Sequence, residues 1–267
     1  MPKISIISGA YNISRCYSFE KSMESILSQS FSDFEFKICD DGSTDNTAEL
    51  LEKYERLDGR IKIIRNENNM GLAYSLNRCI EKSTGEYIAR HDCDDYADTD
   101  RLKKQIEYLE AHENISLLGT NAKLFDEKGV WGEMKFPEKV TKKDFLFCSP
   151  FQHGSIMIRK AALLDCGCYR VAKETRRAED YDLFMRVIMK YECENLQEPL
   201  YYFCEDENTL ARRRYRYRID EAKVRWRGFK MLGLLPKGIP YVIKPLVVGL
   251  IPARLLKLLK DKFLKRK

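Results

Sequence analysis

The chain of 267 residues has nine cysteines but no Cys-x-x-Cys pair, and only three histidines. An odd set of scattered thiols (Cys16, Cys39, Cys79, Cys93, Cys148, Cys166, Cys168, Cys193 and Cys204) fits neither a disulfide framework nor a zinc ribbon, and is expected of free thiols in a reducing compartment. Glycine (14) and proline (8) are too sparse for a collagen-like or low-complexity chain, and 44% hydrophobic content excludes disorder. No apolar run reaches the ~18 residues of a membrane span: Met231–Pro252 is interrupted by Lys237, Lys244 and the prolines at 236, 240 and 245. The opening MPKISIISGAYN enters a β-type run at Lys3, without the basic and apolar regions of a secretory signal. What remains is a globular chain, expected in the cytoplasm, with enough residues for one large domain and an appendage.

The net charge of +6 is local. Between residues 253 and 267, Arg254, Lys257, Lys260, Lys262, Lys265, Arg266 and Lys267 face a single acid, Asp261, so the rest of the chain is neutral overall. A neutral body does not present a polyanion-binding surface, and no nucleic-acid partner is expected. A helix beyond Pro252 would put Leu255, Leu256, Leu258, Leu259 and Phe263 on one face among cations. That pattern suits a helix lying on a membrane surface, and equally one packed on the protein's own core.

Two periodicities alternate in the first half. Short apolar runs (Ile4–Ile7, Phe34–Cys39, Ile61–Ile64, Tyr87–Ala89) are each followed by an amphipathic stretch (Ser18–Ser28, Thr44–Arg56, Leu72–Ile80, Leu102–Leu109). Four such units predict a mostly parallel sheet flanked by helices. The intervening turns, Gly9–Asn12, Asp40–Asp45, Asn66–Gly71 and His91–Asp95, then lie at the carboxyl edge, where open α/β sheets bind ligands. Beyond residue 113 the alternation is irregular: Ile115–Phe125 and Gly154–Ile158 read as strands, Glu179–Tyr191 and Arg212–Lys230 as helices, and the prolines that follow as breaks into short pieces. The organisation expected is a domain over 1–205 in two halves, 1–112 and 113–205, and a helical, basic amphipathic extension over 206–267.

Three constellations carry possible chemistry. Asp92-Cys93-Asp94-Asp95 puts three carboxylates in four residues, which repel one another unless a cation neutralises them; a hard divalent ion shared with a phosphate does this, and so does solvent. Asp40 ends a strand at the ligand edge, where it can accept hydrogen bonds from a base or ribose, whereas Ser43, Thr44 and Asp45 suit a helix cap. Glu179-Asp180 opens a helix, a position the helix dipole favours and one from which a carboxylate can take a hydroxyl proton.

Together, Ser8-Gly9-Ala10-Tyr11-Asn12, Asp40-Asp41-Gly42-Ser43-Thr44-Asp45-Asn46-Thr47, Asn68-Asn69-Met70-Gly71-Leu72-Ala73, Gly85 to Arg90, Asp92-Cys93-Asp94-Asp95 and Glu179-Asp180-Tyr181-Asp182-Leu183 closely resemble, in order and spacing, the family 2 glycosyltransferases and their GT-A fold. The likeness runs from about Pro2 to Tyr202. It implies that Ala10, Tyr11 and Asp40 hold a nucleotide base. It implies that Asp92 and Asp94 meet the ribose and, through Mg²⁺ or Mn²⁺ that Asp95 also ligates, the diphosphate. Asp180, with Glu179 beside it, becomes the base that deprotonates the acceptor. The reaction implied is transfer from a nucleoside-diphosphate sugar to a saccharide hydroxyl with inversion, on a lipid-linked acceptor at the cytoplasmic face of a membrane, in surface-polysaccharide synthesis. The alternative is a module that binds nucleotide sugar or membrane without turnover. Processive members carry Gln-x-x-Arg-Trp and membrane spans; here Ala222-Lys223-Val224-Arg225-Trp226 lacks the Gln, and Arg225 and Trp226 are expected to be structural. Arg212–Arg218 offers cations for a lid over the diphosphate, or a solvated helix face. His91, Cys93 and His153 are expected to be bystanders.

Overall fold

A computed structural model describes residues 1–205 and 215–251. Its elements are β1 (Ile4–Ala10), α1 (Phe19–Leu27), β2 (Phe34–Asp40), α2 (Thr47–Leu57), β3 (Ile61–Arg65), α3 (Leu72–Lys82), β4 (Tyr87–Arg90), β5 (Tyr96–Ala97), α4 (Arg101–Ala111), β6 (Ile115–Asp126), β7 (Gly129–Met134), β8 (Met157–Arg159), α5 (Lys160–Asp165), α6 (Glu179–Val187), β9 (Glu192–Cys204), α7 (Tyr215–Met231) and α8 (Ile239–Gly249). The strands form one sheet in the order β3-β2-β1-β4-β8-β6-β9-β5, with β7 added on β6. From β3 to β4 the pairing is parallel, as the alternating pattern predicts. Beyond β4 it is mixed, because β8 runs antiparallel to both β4 and β6 while β9 lies parallel to β6.

Period-two alternation in the strands sorts the core into two layers. Ile4, Ile6 and Ala10 of β1 face Phe19, Met23 and Ile26 of α1, Leu51 of α2 and Leu102 of α4. Ile7, from the same strand, joins Leu76 and Ile80 of α3, Leu163 of α5, Leu183 and Phe184 of α6, and Val224 and Phe229 of α7 on the other side. In α1 the buried Phe19, Ser22, Met23 and Ile26 recur at the helical spacing that lays one face on a sheet. Burial of both sheet faces leaves the loops at the carboxyl edge of β1, β2 and β4 as the open part of this half.

Three expectations change. The segment expected as a strand over Gly154–Ile158 starts as a 3₁₀ turn at His153–Ser155, since Ser155 N–H and Oγ both bond to Gln152 O and Gly154 lies against Tyr201, where a Cβ would come within 2.1 Å of the hydroxyl. The thirteen-residue β9 had no counterpart in the periodicity; its polar residues and Pro199 blur the alternation, and its pairing with β6 shifts register three times. The prolines expected to fragment the chain leave α8 whole: Pro240 occupies the first turn, where no helical bond is lost, and Pro245 is buried, so its packing offsets one missing bond. The basic segment 252–267 and Arg212–Arg214 lie outside the described residues. Among the described residues no helix is long and apolar enough to cross a membrane.

Candidate active site

The loops after β1 and β2 are stitched into one wall. Asn12, held at φ 51°, donates its N–H to Ser43 Oγ (3.0 Å) and accepts Thr44 N–H at Oδ1 (2.9 Å). Ile13 N–H reaches Thr47 Oγ1 (2.8 Å), and Ser14 donates through N–H and Oγ to Asp45 Oδ2. Burial opposes ionisation of Asp45, but these bonds from Ser14 and Thr47 outweigh it and hold the carboxyl at about 2. Asp45 also accepts Thr47 N–H (3.0 Å), but the cap position of α2 falls to Asn46 rather than to Ser43, Thr44 or Asp45. Asp40 is buried at the end of β2, with Oδ1 accepting Ser43 N–H (3.0 Å). Ala10 is buried beneath the same wall and Tyr11 is exposed on it.

Asp41, which no motif argument singled out for a role, ties in the third loop. It accepts Asn66 Nδ2 (2.7 Å), Met70 N–H (2.9 Å) and Gly71 N–H (2.8 Å), while its own N–H donates to Ala10 O (2.8 Å). Gly42 makes this closure possible: it sits at φ +70° with its Cα so near Asn68 that a Cβ would come within 2.5 Å of that backbone.

The acidic loop alternates inward and outward. His91, Cys93 and Asp95 are buried, Asp92 is half-buried, and Asp94 is exposed. His91 bonds Ser22 Oγ (2.9 Å), and burial, with Arg101 and Arg90 nearby, pushes its imidazole well below its usual range and keeps it neutral. Cys93 Sγ lies 3.1 Å from Ser8 Oγ, and burial pushes its thiol up to about 12. Neither is a soft ligand at the loop surface. Asp95, expected as a third metal ligand, is fully enclosed: Oδ1 accepts Cys204 N–H of β9 (2.7 Å), and burial followed by the charges of Asp94 and Asp92 raises its carboxyl well above the usual range. Its bond to Cys204 N–H fastens the loop to β9. Asp92 N–H donates to Tyr201 Oη (3.1 Å), and Ser18 Oγ donates to Asp94 O (2.6 Å).

Pattern reading passed over Arg90. It is fully buried at the end of β4, donating to Asp92 Oδ1 and to His91 O. The signal was present in the sequence: a guanidinium at the end of an apolar strand needs an anion within reach, and the next residues are acidic.

Opposite, α6 begins with Glu179 and Asp180, after Arg177 at φ 73° and an Ala178 N-cap that offers the helix no side-chain acceptor. Burial, then the charge of Asp180, pushes Glu179 up to about 7. Burial also raises Asp180, to about 6, with the charge of Asp92 adding to it and backbone N–H groups of the helix start opposing it. Asp92 thus acts electrostatically on Asp180, and Arg90 acts on both members of the pair. The helix is anchored behind them by Asp182, which meets Arg186 (3.0 Å), Arg227 (2.8 Å) and Arg170 (3.3 Å), and by Tyr181, whose hydroxyl donates to Phe145 O. Arg225 is structural, as expected, bonding Leu146 O (3.0 Å) and Tyr181 Oη (3.3 Å). His153 Nε2 lies 2.8 Å from Tyr169 Oη, and burial lowers its pKa well below the usual range.

No cluster of three or more acid, His or Cys side chains forms a ready metal cage among the described residues. Two adjacent carboxylates on one loop, Asp92 and Asp94, instead suit a hard ion that keeps several waters and takes its remaining ligands from substrate phosphates. The donor set therefore fits Mg²⁺ or Mn²⁺, and fits a thiophilic metal poorly.

The sequence profile described as "Glycosyl transferase family 2" matches residues 5–171. Putative glycosyltransferase EpsE of Bacillus subtilis (strain 168) is 40% identical over 254 residues, which cover 94% of this chain and 91% of that one. O-antigen biosynthesis glycosyltransferase WbnJ of Escherichia coli is 33% identical over 183 residues, 66% of this chain and 68% of that one. Among solved structures, S. aureus TarS 1–349 in complex with UDP-GlcNAc shares the fold at a TM-score of 0.68 and 23% identity, covering 83% of this chain and 65% of that chain. Mannosyltransferase PcManGT from Pyrobaculum calidifontis, in complex with GDP-Man and Mn²⁺, shares it at 0.64 and 17% identity, covering 98% and 80%.

Proposed function

The chain belongs to glycosyl transferase family 2 and is a glycosyltransferase; on that premise we propose that it moves a sugar from a nucleoside-diphosphate donor to a saccharide hydroxyl, by one displacement that inverts the anomeric carbon, in the synthesis of a surface polysaccharide. The observation that carries this reading is the gathering of the loops after β1, β2 and β4 at one edge of the sheet, with Asp92 of the acidic loop bonded to the buried Arg90, in a chain whose residues 5–171 match the family profile.

In this reading Ala10, Tyr11 and Asp40 receive the base, in the wall formed by the first two loops. Asp92 and Asp94 hold the ribose and a Mg²⁺ or Mn²⁺ ion, while Asp95 secures their loop. Bound there, the cation offsets the charge that grows on the departing diphosphate. Asp180 takes the acceptor's proton as the new bond forms, and Glu179 keeps it basic by sharing its charge. The donor class has parallels in the UDP-GlcNAc of TarS and the GDP-Man of PcManGT, and the metal in the Mn²⁺ of PcManGT. The polysaccharide role has its parallel in WbnJ. We assign the acceptor to a lipid-linked saccharide at the cytoplasmic face of a membrane, approached through the basic segment 252–267.

Isothermal titration with UDP, GDP, dTDP and CMP, with and without Mn²⁺, on the wild type and on Asp94→Asn tests the donor site. Metal-dependent binding of one nucleotide, lost in the variant, is the expected result. Absence of binding in every condition would leave a fold that kept its shape and lost its donor.

A further inference from the structure

Helix α8 reads Ile-Pro-Tyr-Val-Ile-Lys-Pro-Leu-Val-Val-Gly, with Lys244 its one charged residue. One side of it is accounted for: Val242 and Pro245 are buried, and Tyr241 and Leu246 pack against the core that also contains Val224 and Phe229 of α7. Among the described residues the other side has no such cover. Ile239, Ile243 (47% exposed), Val247 (56%) and Leu250 (73%), just past the helix end, face outward. At about 100° per residue these four fall within an arc of about 80°, so the helix carries two apolar faces and only one meets the core.

The surroundings of that stripe are aromatic and cationic. Phe147 is exposed beside it, edge-on to Tyr241 at 4.8 Å, with Lys244 Nζ over its ring at 5.4 Å. Along α7 the exposed positions are Tyr215, Arg216, Ile219, Lys223, Trp226, Lys230 and Met231. The acids in 215–251 are only Asp220 and Glu221; Asp220 is buried and Glu221 pairs with Arg218 (2.9 Å) and Arg225 (3.1 Å). Exposed charge on the α7–α8 pair is therefore positive. From Ile251 the chain runs directly into the segment with seven cations and one acid.

We propose that the α7–α8 pair is a lipid-facing surface: the Ile239–Ile243–Val247–Leu250 stripe enters the headgroup boundary of an anionic bilayer while Tyr215, Trp226 and the lysines lie at its polar level. Aliphatic residues on one arc of α8, with exposed Trp226, Tyr215 and lysines on the same pair of helices, match the chemistry of that boundary. The proposal rests on the membrane-bound acceptor assigned above and gives that reading a described structural element. It also links the membrane to the chemistry. Arg225 of α7 holds Tyr181, and Arg227 holds Asp182, both next to Asp180 on α6. A bilayer that orients this pair of helices orients the catalytic helix start toward acceptors in the same surface.

Flotation of the full chain with vesicles of phosphatidylcholine and phosphatidylglycerol (3:1), and with phosphatidylcholine alone, tests it. Three variants are compared: Ile243→Asn/Val247→Asn, Val247→Trp, and a tail reversal, Lys257→Glu/Lys260→Glu/Lys262→Glu. The expected result is wild-type binding to anionic vesicles, at least about tenfold weaker partition for the Asn pair with an unchanged melting profile, and equal or stronger partition for Val247→Trp. Wild-type flotation in both stripe variants, with loss in the tail variant alone, overturns the proposal and leaves the membrane reading standing. Failure of the wild type to float overturns both. A wild-type dimer in light scattering that the Asn pair dissolves, without any effect on flotation, assigns the stripe to a second copy and also overturns the proposal.

Discussion

Asp92 on the acidic loop after β4 raises the pKa of Asp180 at the start of α6, so the loop suited to a metal and the candidate base share one electrostatic field. With Glu179 at about 7 and Asp180 at about 6, the pair does not carry two full charges at mildly acidic pH. A base must be ionised to accept a proton, so transfer is expected to rise with pH through a limb near 6–7, shifted lower when a divalent cation is bound. Asp180→Asn is expected to reduce kcat by about 10²–10⁴-fold, the usual worth of a general base. Glu179→Gln removes the like charge and moves the limb to lower pH while retaining turnover. A pH–rate profile for the three proteins measures this; an unshifted limb in Glu179→Gln contradicts the coupling.

Arg90 is the cation between these groups. Its charge lowers both Glu179 and Asp180, and its guanidinium bonds Asp92. Arg90→Met is expected to move the activity limb to higher pH and to lower stability by about 3–5 kcal/mol, the cost of leaving a buried partner uncompensated. Arg90→Lys retains the charge without the fork, so its limb stays near wild type while some stability is lost. A purely structural Arg90 would lower the melting temperature in both variants and leave both pH limbs in place.

The three aspartates of the loop separate by environment. Asp94 is exposed, whereas Asp95 is buried and bonded to Cys204 N–H, with burial raising its carboxyl above the usual range. Asp94→Asn is expected to abolish Mn²⁺-dependent nucleotide binding. Asp95→Asn keeps an oxygen to accept Cys204 N–H and is expected to keep metal affinity within about threefold, whereas Asp95→Ala loses the bond and costs about 1–3 kcal/mol. Calorimetric titration with Mn²⁺ and nucleotide, paired with thermal melts, distinguishes these. A loss of metal affinity in Asp95→Asn equal to that in Asp94→Asn makes Asp95 a ligand after all.

The parallel half of the sheet was legible because each strand there is a short apolar run and each helix has one apolar face, as Ile4–Ala10 and Phe19–Leu27 illustrate. The position of Asp40 at the end of β2 was legible for the same reason: the strand fixes where its last side chain emerges. What stayed hidden depends on distant partners. The burial of Asp95 is decided by Cys204, the clamp made by Asp41 by the backbone of Met70 and Gly71, and the register of β9 by bulges against β6. No local pattern encodes contacts of that range. Helix α8 survived its prolines because the core covers Pro245, which is again a tertiary effect overriding a local rule.

The acid pair also predicts how stability depends on pH. A carboxyl whose folded pKa lies above its unfolded value of about 4 binds its proton more tightly in the native state, so it penalises folding as pH rises through the window between the two values. For Glu179 that window runs from about 4 up to about 7. Above it the native state holds two partly buried carboxylates side by side at the start of α6, beside Asp92. Glu179→Gln is therefore expected to stabilise the protein at pH 8 by about 1–2 kcal/mol, a figure reduced for the partial exposure of the group, and to gain little at pH 5, where most of the wild-type side chain is already protonated. Thermal melts of wild type and variant at both pH values give the comparison. An equal gain at pH 5 and pH 8 points to packing rather than charge as its source, and a loss at both means that Glu179 supplies the helix start with a contact that outweighs its repulsion from Asp180.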